Sequence, residues 1–169
     1  MTIGKPNMAY VTDSFTRPSD TTAYADEDLV ANDVDAGDVV PLEFAIGTGN
    51  GRGLSIVGAR IQKSDGTDIA NATFSLYLYA SEPTCANGDN AAFSTDTANF
   101  IGAIDFPIMT AYTDDGLSVM HAGSVSGGFN ALRTYLRSTS TIYGLLKAQA
   151  AYSPASAEEF TVSLIIEQY

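Results

Sequence analysis

The amino-acid sequence predicts an all-β fold: an antiparallel β-sandwich of jelly-roll topology with an extended N-terminal arm. From Val39 onward, short segments alternate between apolar and polar residues, as strands with one buried face do. Clusters of Gly, Asp, Asn and Ser separate these segments, and no segment carries a sustained apolar stripe at the helical period. Seven or eight short strands separated by such turns are typical of two packed antiparallel sheets, and the jelly roll is the simplest arrangement of that number.

Seven strands are predicted in the body of the chain and an eighth, Tyr10–Thr16, in the arm. The clearest is Thr161–Glu167, where Val162, Leu164 and Ile166 share one face. The others are Val39–Ile46, Leu54–Lys63, Ala72–Ala80, Phe100–Phe106, Ala131–Arg137 and Ile142–Tyr152. Asp65-Gly66 predicts a hairpin between Leu54–Lys63 and the strand that follows, and residues 91–99 allow a short helical turn.

The strand Ala72–Ala80 has two apolar faces of different character. Phe74, Leu76 and Leu78 lie on one face, whereas Tyr77 and Tyr79 lie on the other. A tyrosine buries its ring while its hydroxyl keeps a partner, so this second face can pack under a loop of the same chain or against another protein. Both interpretations stay open at the level of sequence.

Most of the negative charge lies near the N-terminus. The net charge is -12, and residues 13–43 hold nine acidic residues and one basic residue, a local balance of -8. Residues 1–38 lack the strand alternation and contain Pro6 and Pro18, which predicts an extended acidic arm followed by a β-sandwich domain at 39–169. The acidity is either a solvated surface or a docking surface for a basic partner.

Composition excludes several classes of protein. Eight basic residues among twenty acidic ones do not supply the cationic patch that nucleic-acid binding needs. The apolar runs are far shorter than the roughly 20 residues that span a bilayer, which argues against a membrane partner. With 45% hydrophobic residues the chain has enough apolar surface for one folded core.

The sequence carries no recognisable catalytic motif, and we predict neither an enzyme nor a cofactor. His121 is the single histidine and Cys85 the single cysteine, and neither stands in a nucleophile or zinc signature. The glycines between Gly47 and Gly53 lack the Lys-Ser/Thr of a phosphate-binding loop. They predict a flexible connection.

The segment Asp33–Asp38 resembles the start of a calcium-binding loop because carboxylates alternate there. The resemblance ends at the twelfth loop position, which is Phe44 instead of a bidentate Glu, so we predict no metal site. Pairs of carboxylates at glycosidase distance are expected by chance among twenty acids and indicate nothing alone.

Several phrases, in order along nearly the whole chain, resemble a family of small virion structural proteins of tailed bacteriophages. These phrases are residues 15–25 (FTRPSDTTAYA), 58–60 (GAR), 72–78 (ATFSLYL), 89–93 (DNAAF), 143–146 (YGLL) and 152–156 (YSPAS). The resemblance implies a capsid-associated β-sandwich that decorates or stabilises the head shell, made in the host cytoplasm and located on the capsid surface. It brings no catalytic residues.

We therefore expect a virion structural protein whose partners are the major capsid protein or another virion protein, and which forms homo-oligomers. The predicted interface residues lie in the arm: Arg17, Asp20, Tyr24, Asp26, Glu27 and Asp28. The alternatives are a carbohydrate- or receptor-binding module of a phage tail, for which Tyr77, Tyr79, Tyr143 and Tyr152 are candidate stacking residues, and a glycoside hydrolase or lyase.

Overall fold

A computed structural model describes residues 7–47, 53–67, 69–121, 132–135 and 141–168. No helix in these ranges is long or apolar enough to cross a bilayer. The described elements are β1 (Asn7–Thr16), β2 (Leu29–Val30), a 3-10 turn (Ala36–Asp38), β3 (Leu42–Ala45), β4 (Gly53–Lys63), β5 (Phe74–Tyr79), β6 (Phe100–Asp105), β7 (Thr110–Ala111), β8 (Gly116–His121), β9 (Leu132–Tyr135), β10 (Thr141–Ala148) and β11 (Glu159–Gln168).

The strands form two antiparallel sheets. The first sheet has six strands in the order β1-β11-β4-β8-β7, with β9 also paired to β4. The second has five strands in the order β2-β10-β5-β6, with β3 also paired to β10. Without the short strands β2, β7 and β9, the remaining eight, counted along the chain, run 1-8-3-6 in one sheet and 2-7-4-5 in the other. This order is a jelly roll, which confirms the predicted fold class.

The main core lies between the two sheets. Alternate residues of each strand point into it, as the pleat requires: Phe74, Leu76 and Leu78 from β5, and Val162 and Leu164 from β11, are all fully buried. Gly144 of β10 allows the close packing of this layer, because a Cβ there would lie 2.9 Å from Phe44 Cε2 and 3.1 Å from Leu76 Cδ1.

A second, smaller hydrophobic cluster covers the outer face of the five-stranded sheet. Its buried members are Leu29, Ala31, Tyr79 and Leu145, and half-buried Tyr77, Phe93 and Tyr143 pack against them. Leu29 lies on the edge strand β2 of this sheet, and loop residues 89–93 bond to it and to the residues before it, for example through Leu29 N to Ala91 O (2.8 Å) and Phe93 N to Glu27 O (2.8 Å). Phe93 of this loop packs on Tyr77. Of the two interpretations of the tyrosine face, the structure therefore shows packing under a loop of the same chain.

Three local predictions were incomplete or wrong. The sequence patterns missed the short strands β2 and β7, and they missed β8, whose inward residues include Ser118 beside Met120 and so hide the alternation. The predicted hairpin at Asp65-Gly66 is wrong: β4 pairs with β11, β8 and β9, whereas β5 pairs with β10 and β6, so this turn carries the chain from one sheet to the other. Residues 91–99 form no helical turn.

The division at residues 38 and 39 is not a division of the described structure. β1 pairs with β11 over ten residues and β2 pairs with β10. Arg17, Tyr24 and Leu29 are buried. The N-terminal segment is therefore held within the sandwich: β1 is a ten-residue strand, and after it the contacts are made by single residues and the two-residue strand β2, which no periodic pattern reveals.

Candidate functional site

A buried cluster of polar side chains fastens the chain after β1. Arg17 Nη2 lies 3.2 Å from Asp89 Oδ2, and both side chains are fully buried. Arg17 Nε donates to Tyr24 Oη (2.8 Å), and Tyr24 Oη donates to Asp89 Oδ1 (2.6 Å). Asp89 Oδ1 also accepts from the Ala31 backbone N–H at 2.8 Å. The cluster thus joins the chain after β1 to the loop between β5 and β6.

The environment of this cluster shifts the pKa of each member. Burial raises the pKa of Asp89, and the hydrogen bonds from Ala31 and Tyr24 and the charge of Arg17 only partly oppose this. Burial also raises the pKa of Tyr24, and the Asp89 carboxylate beside it acts in the same direction. Burial lowers the pKa of Arg17, but its bonds and charge contacts with Tyr24, Asp89 and Asp20 outweigh that effect and leave the pKa raised.

A second buried ion pair lies where β4 ends and β11 begins. Lys63 Nζ lies 2.6 Å from Glu158 Oε1, with both side chains fully buried, and Tyr152 Oη donates to Glu158 Oε2. Burial raises the pKa of Glu158, opposed by the hydrogen bonds from Lys63 and Tyr152. Lys63 Nζ also lies 5.6 Å from the ring centroid of Tyr152.

The two clusters meet at a pair of tyrosines. The rings of Tyr24 and Tyr152 stack with centroids 5.8 Å apart and planes 5° apart. Their backbones are also joined, with Tyr24 N donating to Tyr152 O at 2.8 Å. Because Arg17, Lys63, Asp89 and Glu158 are at most 5% exposed, these charges do not face a ligand from solution; their role is to hold loops against the core.

The acidic residues that follow Tyr24 have the opposite environment. Asp26 and Glu27 are exposed and Asp28 is half-buried; Glu27 lies 3.0 Å from Lys147 Nζ, and Asp28 Oδ2 accepts from the Ala25 N–H at 2.6 Å. Asp20, half-buried, lies 3.3 Å from Arg17. Of the six predicted interface residues, these four retain access to a partner. Arg17 and Tyr24 do not, since their side chains are buried in the first cluster.

The carboxylates of Asp33, Asp35 and Asp38 approach one another. One oxygen from each lies within 4.8 Å of the others, around the 3-10 turn. Asp33 is half-buried and accepts a hydrogen bond from Asp35 N at 2.9 Å, whereas Asp35 and Asp38 are exposed. These oxygens are of the type that hard cations prefer, although the loop has no bidentate Glu at its twelfth position.

An open aromatic pocket of about 290 Å³ lies on the outer side of the five-stranded sheet. Four rings surround it, from Tyr77, Tyr79, Phe93 and Phe100, with neighbouring centroids 4.6 to 5.8 Å apart. Ser94, Thr95 and Thr97 supply hydroxyl groups at its rim. Tyr152, in contrast, is core, and Tyr143 packs in the second hydrophobic cluster; neither lines this pocket.

The single cysteine and histidine do not form a nucleophilic site. Cys85 is half-buried, and burial, with the nearby Asp96 charge, raises the pKa of its thiol to about 11. A thiol with that pKa is almost entirely protonated at neutral pH. His121 is exposed at the last residue of β8.

The sequence interpretation missed the buried charges, yet their positions carried a signal. Lys63 continues the inward alternation of Ala59 and Ile61, and Glu158 precedes Phe160 with the same parity. A charged residue at an inward position of a strand pattern is expected to have a buried partner. Asp89 carried no such signal, because it lies in a turn segment and joins the buried cluster only through contacts with residues that are distant in the sequence.

Comparisons with known proteins place the chain in no family. No family model matches it, and no curated protein does. Among solved structures it is similar to the BFDV capsid protein in a decameric form, with 11% identity, a TM-score of 0.37, and 98% of this chain and 100% of that chain covered. It is also similar to Desmodium yellow mottle tymovirus, with 14% identity, a TM-score of 0.26, and 99% and 89% covered.

A protein of unknown function from Shewanella oneidensis MR-1 matches with 10% identity and a TM-score of 0.24, with 99% of this chain and 89% of that chain covered. TM-scores below 0.5 do not establish a shared topology. The jelly-roll fold therefore rests on the strand pairing described above.

Proposed function

We propose that this chain is a virion structural protein that binds the head shell of a tailed bacteriophage as a decoration or cement protein. One observation carries the proposal: the most acidic segment of the chain is anchored by buried apolar residues and exposes acidic side chains to solvent. Between Tyr24 and Phe44, the apolar residues Leu29, Val30 and Leu42 are buried, while Asp26, Asp35 and Asp38 are exposed.

A held, charged surface suits docking on a repeated lattice. Because the acidic side chains stand on a segment anchored by the buried side chains of Tyr24, Leu29 and Leu42, little chain entropy is lost when a basic partner binds them. Complementary charge speeds encounter and selects the partner, and many copies on one shell add avidity. The jelly roll is also a fold that capsid proteins use, although the same fold serves lectins and cupins.

The test measures binding of the purified protein to phage heads that lack this protein. Replacing Asp26, Asp35 and Asp38 by Asn removes three exposed charges and none of the described side-chain hydrogen bonds. Exposed pairs contribute about 0.2–1 kcal/mol each, so affinity is expected to fall about tenfold, and the difference is expected to shrink at high salt.

The matched control replaces three exposed acids elsewhere, Glu82→Gln, Asp114→Asn and Glu159→Gln, with the same change in net charge. Equal loss in both triple variants would mean that only net charge matters. Cryo-microscopy and mass spectrometry of purified particles provide the second measurement; absence of the protein from the particle would overturn the proposal.

A second candidate function is recognition of a neutral sugar, as in a receptor-binding module of a tail. The aromatic pocket favours it, because the accessible rings of Tyr77, Phe93 and Phe100 beside hydroxyl groups suit a ring-shaped polyol. Phe100→Ala removes a ring that is 45% exposed, and Tyr112→Ala removes a ring that is 57% exposed and lies outside the pocket. Binding on a glycan array that only Phe100→Ala abolishes would support this function, and no binding by the wild type would remove it.

A further inference from the structure

Within the described residues, one edge of strand β1 pairs with no other strand. β1 pairs with β11 without a register shift, from Asn7 opposite Gln168 to Thr16 opposite Glu159. The next pair in this register is bonded, since Arg17 N donates to Glu158 O at 3.0 Å. Bonded pairs alternate along an antiparallel ladder, so the odd-numbered residues of β1 face β11. Met8, Tyr10, Thr12, Ser14 and Thr16 direct their backbone N–H and C=O groups away from it.

The bond from Ser64 N to Glu159 O (3.0 Å) supports this parity, because it directs the odd-numbered residues of β11 toward β4 and leaves the even-numbered ones for β1. In the described part of the chain, no strand other than β11 pairs with β1, and no loop bonds to these five outward-directed residues' backbone groups. The nearest described approach is from β3, through Glu43 N donating to the Asp13 carboxylate at 2.6 Å.

The side chains of this edge carry none of the features that usually prevent strand pairing. Natural edge strands are kept apart by lysine, proline, bulges or short length. β1 is ten residues long and contains neither lysine nor proline. Its single charged residue, Asp13, has a half-buried side chain whose carboxylate accepts a hydrogen bond from Glu43 N. The five outward-directed residues have uncharged, exposed side chains, with Met8 56% and Tyr10 72% exposed.

We propose that β1 is a self-pairing edge, by which a second copy of this chain extends the six-stranded sheet across a two-fold axis. An antiparallel pair that uses all five outward residues places Thr12 opposite Thr12 of the second copy. Tyr10 then lies opposite the second copy's Ser14, and Met8 opposite its Thr16. Each of these five opposed pairs can exchange two backbone hydrogen bonds.

A second copy fits this edge because its outward-directed backbone groups are symmetric about Thr12, so that two copies present matching donors and acceptors to each other. The net charge of -12 makes two copies repel each other over most of their surface, but the opposed side chains along this edge are neutral. The interface does not depend on the phage partner proposed above. It is tested on the purified protein alone, so that its failure would leave the head-shell proposal standing.

The first test is crosslinking in a Cys85→Ser background. Thr12→Cys places two thiols in directly opposed positions, with Cα atoms about 5.5 Å apart, which is within the range for a disulfide. Ser14→Cys is the matched control: its counterpart lies four residues along the ladder, about 14 Å away. Mild oxidation is expected to give covalent dimers of Thr12→Cys only. Equal yields for both, or none for Thr12→Cys, would overturn the proposed pairing.

The second test measures mass in solution by analytical ultracentrifugation at about 0.15 M salt, where a Debye length of about 8 Å screens charges spread over the two surfaces but not two lysines in contact. The wild type is expected to be dimeric. Thr12→Lys, which opposes two like charges at the two-fold axis, is expected to be monomeric and folded. Val119→Lys adds the same charge to the outer face of the same sheet, three strands from β1, and is expected to stay dimeric. A monomeric wild type, or equal dissociation of both variants, contradicts the proposal.

Discussion

The outer faces of the two sheets differ in what covers them. Outside the five-stranded sheet, Leu145 and Tyr79 are buried in the second hydrophobic cluster, against which Phe93 of the loop at 89–93 packs. Outside the six-stranded sheet, Thr12 and Val119 are exposed. The outer face of the five-stranded sheet is thus buried in a second hydrophobic cluster, whereas these residues on the outer face of the six-stranded sheet are exposed to solvent. What decides the difference is whether a fastened loop returns over the face.

The largest expected effect on stability comes from removing the buried ion pair that holds the loop containing Asp89. Asp89→Ala removes the buried counter-charge of Arg17 and the acceptor of the Ala31 N–H and the Tyr24 hydroxyl, which is expected to lower the free energy of unfolding by about 3–5 kcal/mol. Asp20→Ala removes the partially exposed partner of the same arginine and is expected to cost at most about 1 kcal/mol. Urea denaturation measures both; similar losses would show that Asp89 is not the fastening residue.

The next effect tests whether the covered face behaves as core. Leu145→Ala is expected to cost about 2–5 kcal/mol, the range of a buried leucine, although the side chain points away from the main core. Val119→Ala, on the outer face of the other sheet and 41% exposed, is expected to stay within about 0.5 kcal/mol. If thermal or urea denaturation finds equal costs, the two faces do not differ as described.

A smaller effect comes from the close approach of two loops. A Cβ at Gly88 would lie 2.0 Å from the backbone oxygen of Val34, so Gly88→Ala must displace the loop beside Asp89. The expected cost is about 1–3 kcal/mol. Gly37→Ala, where nothing lies within 4 Å of the added atom, is the control and is expected to be near neutral. A neutral result at Gly88 as well would contradict the packing of these loops.

The smallest effect is the pH dependence of the fastening cluster. Burial raises the pKa of Asp89 in the folded state above its ordinary 3.8. Between pH 3.8 and that raised pKa, the folded state therefore binds more protons than the unfolded state. The contribution of Asp89 is therefore fully present below pH 3.8 and declines as the pH rises through the raised pKa. We expect the stability of the wild type relative to Asp89→Asn to be greater at pH 4 than at pH 7 in urea denaturation. A greater difference at pH 7 would reverse the sign.

The sequence predicted most strands correctly because each is buried on a repeating face. β4, β10 and β11 alternate visibly, and the predicted strands at Leu54–Lys63, Ile142–Tyr152 and Thr161–Glu167 overlap them. β8 was missed because Ser118 points inward and Val119 outward, so its alternation does not follow polarity. The candidate interface was predicted from charge and from the expected exposure of an extended arm, which cannot separate the exposed Asp26 from the buried Arg17.

By itself, the sequence determined the fold class, the position of most strands and the concentration of acid near the N-terminus. These properties follow from local periodicity and composition, and both are visible among residues that are close together in the chain. Only the tertiary structure decided that the acidic segment belongs to the sandwich, that Asp89 meets Arg17, and that β1 pairs with β11. Each of these depends on a contact between residues far apart in the chain, and a pattern that is read along the chain carries no information on which distant residues meet.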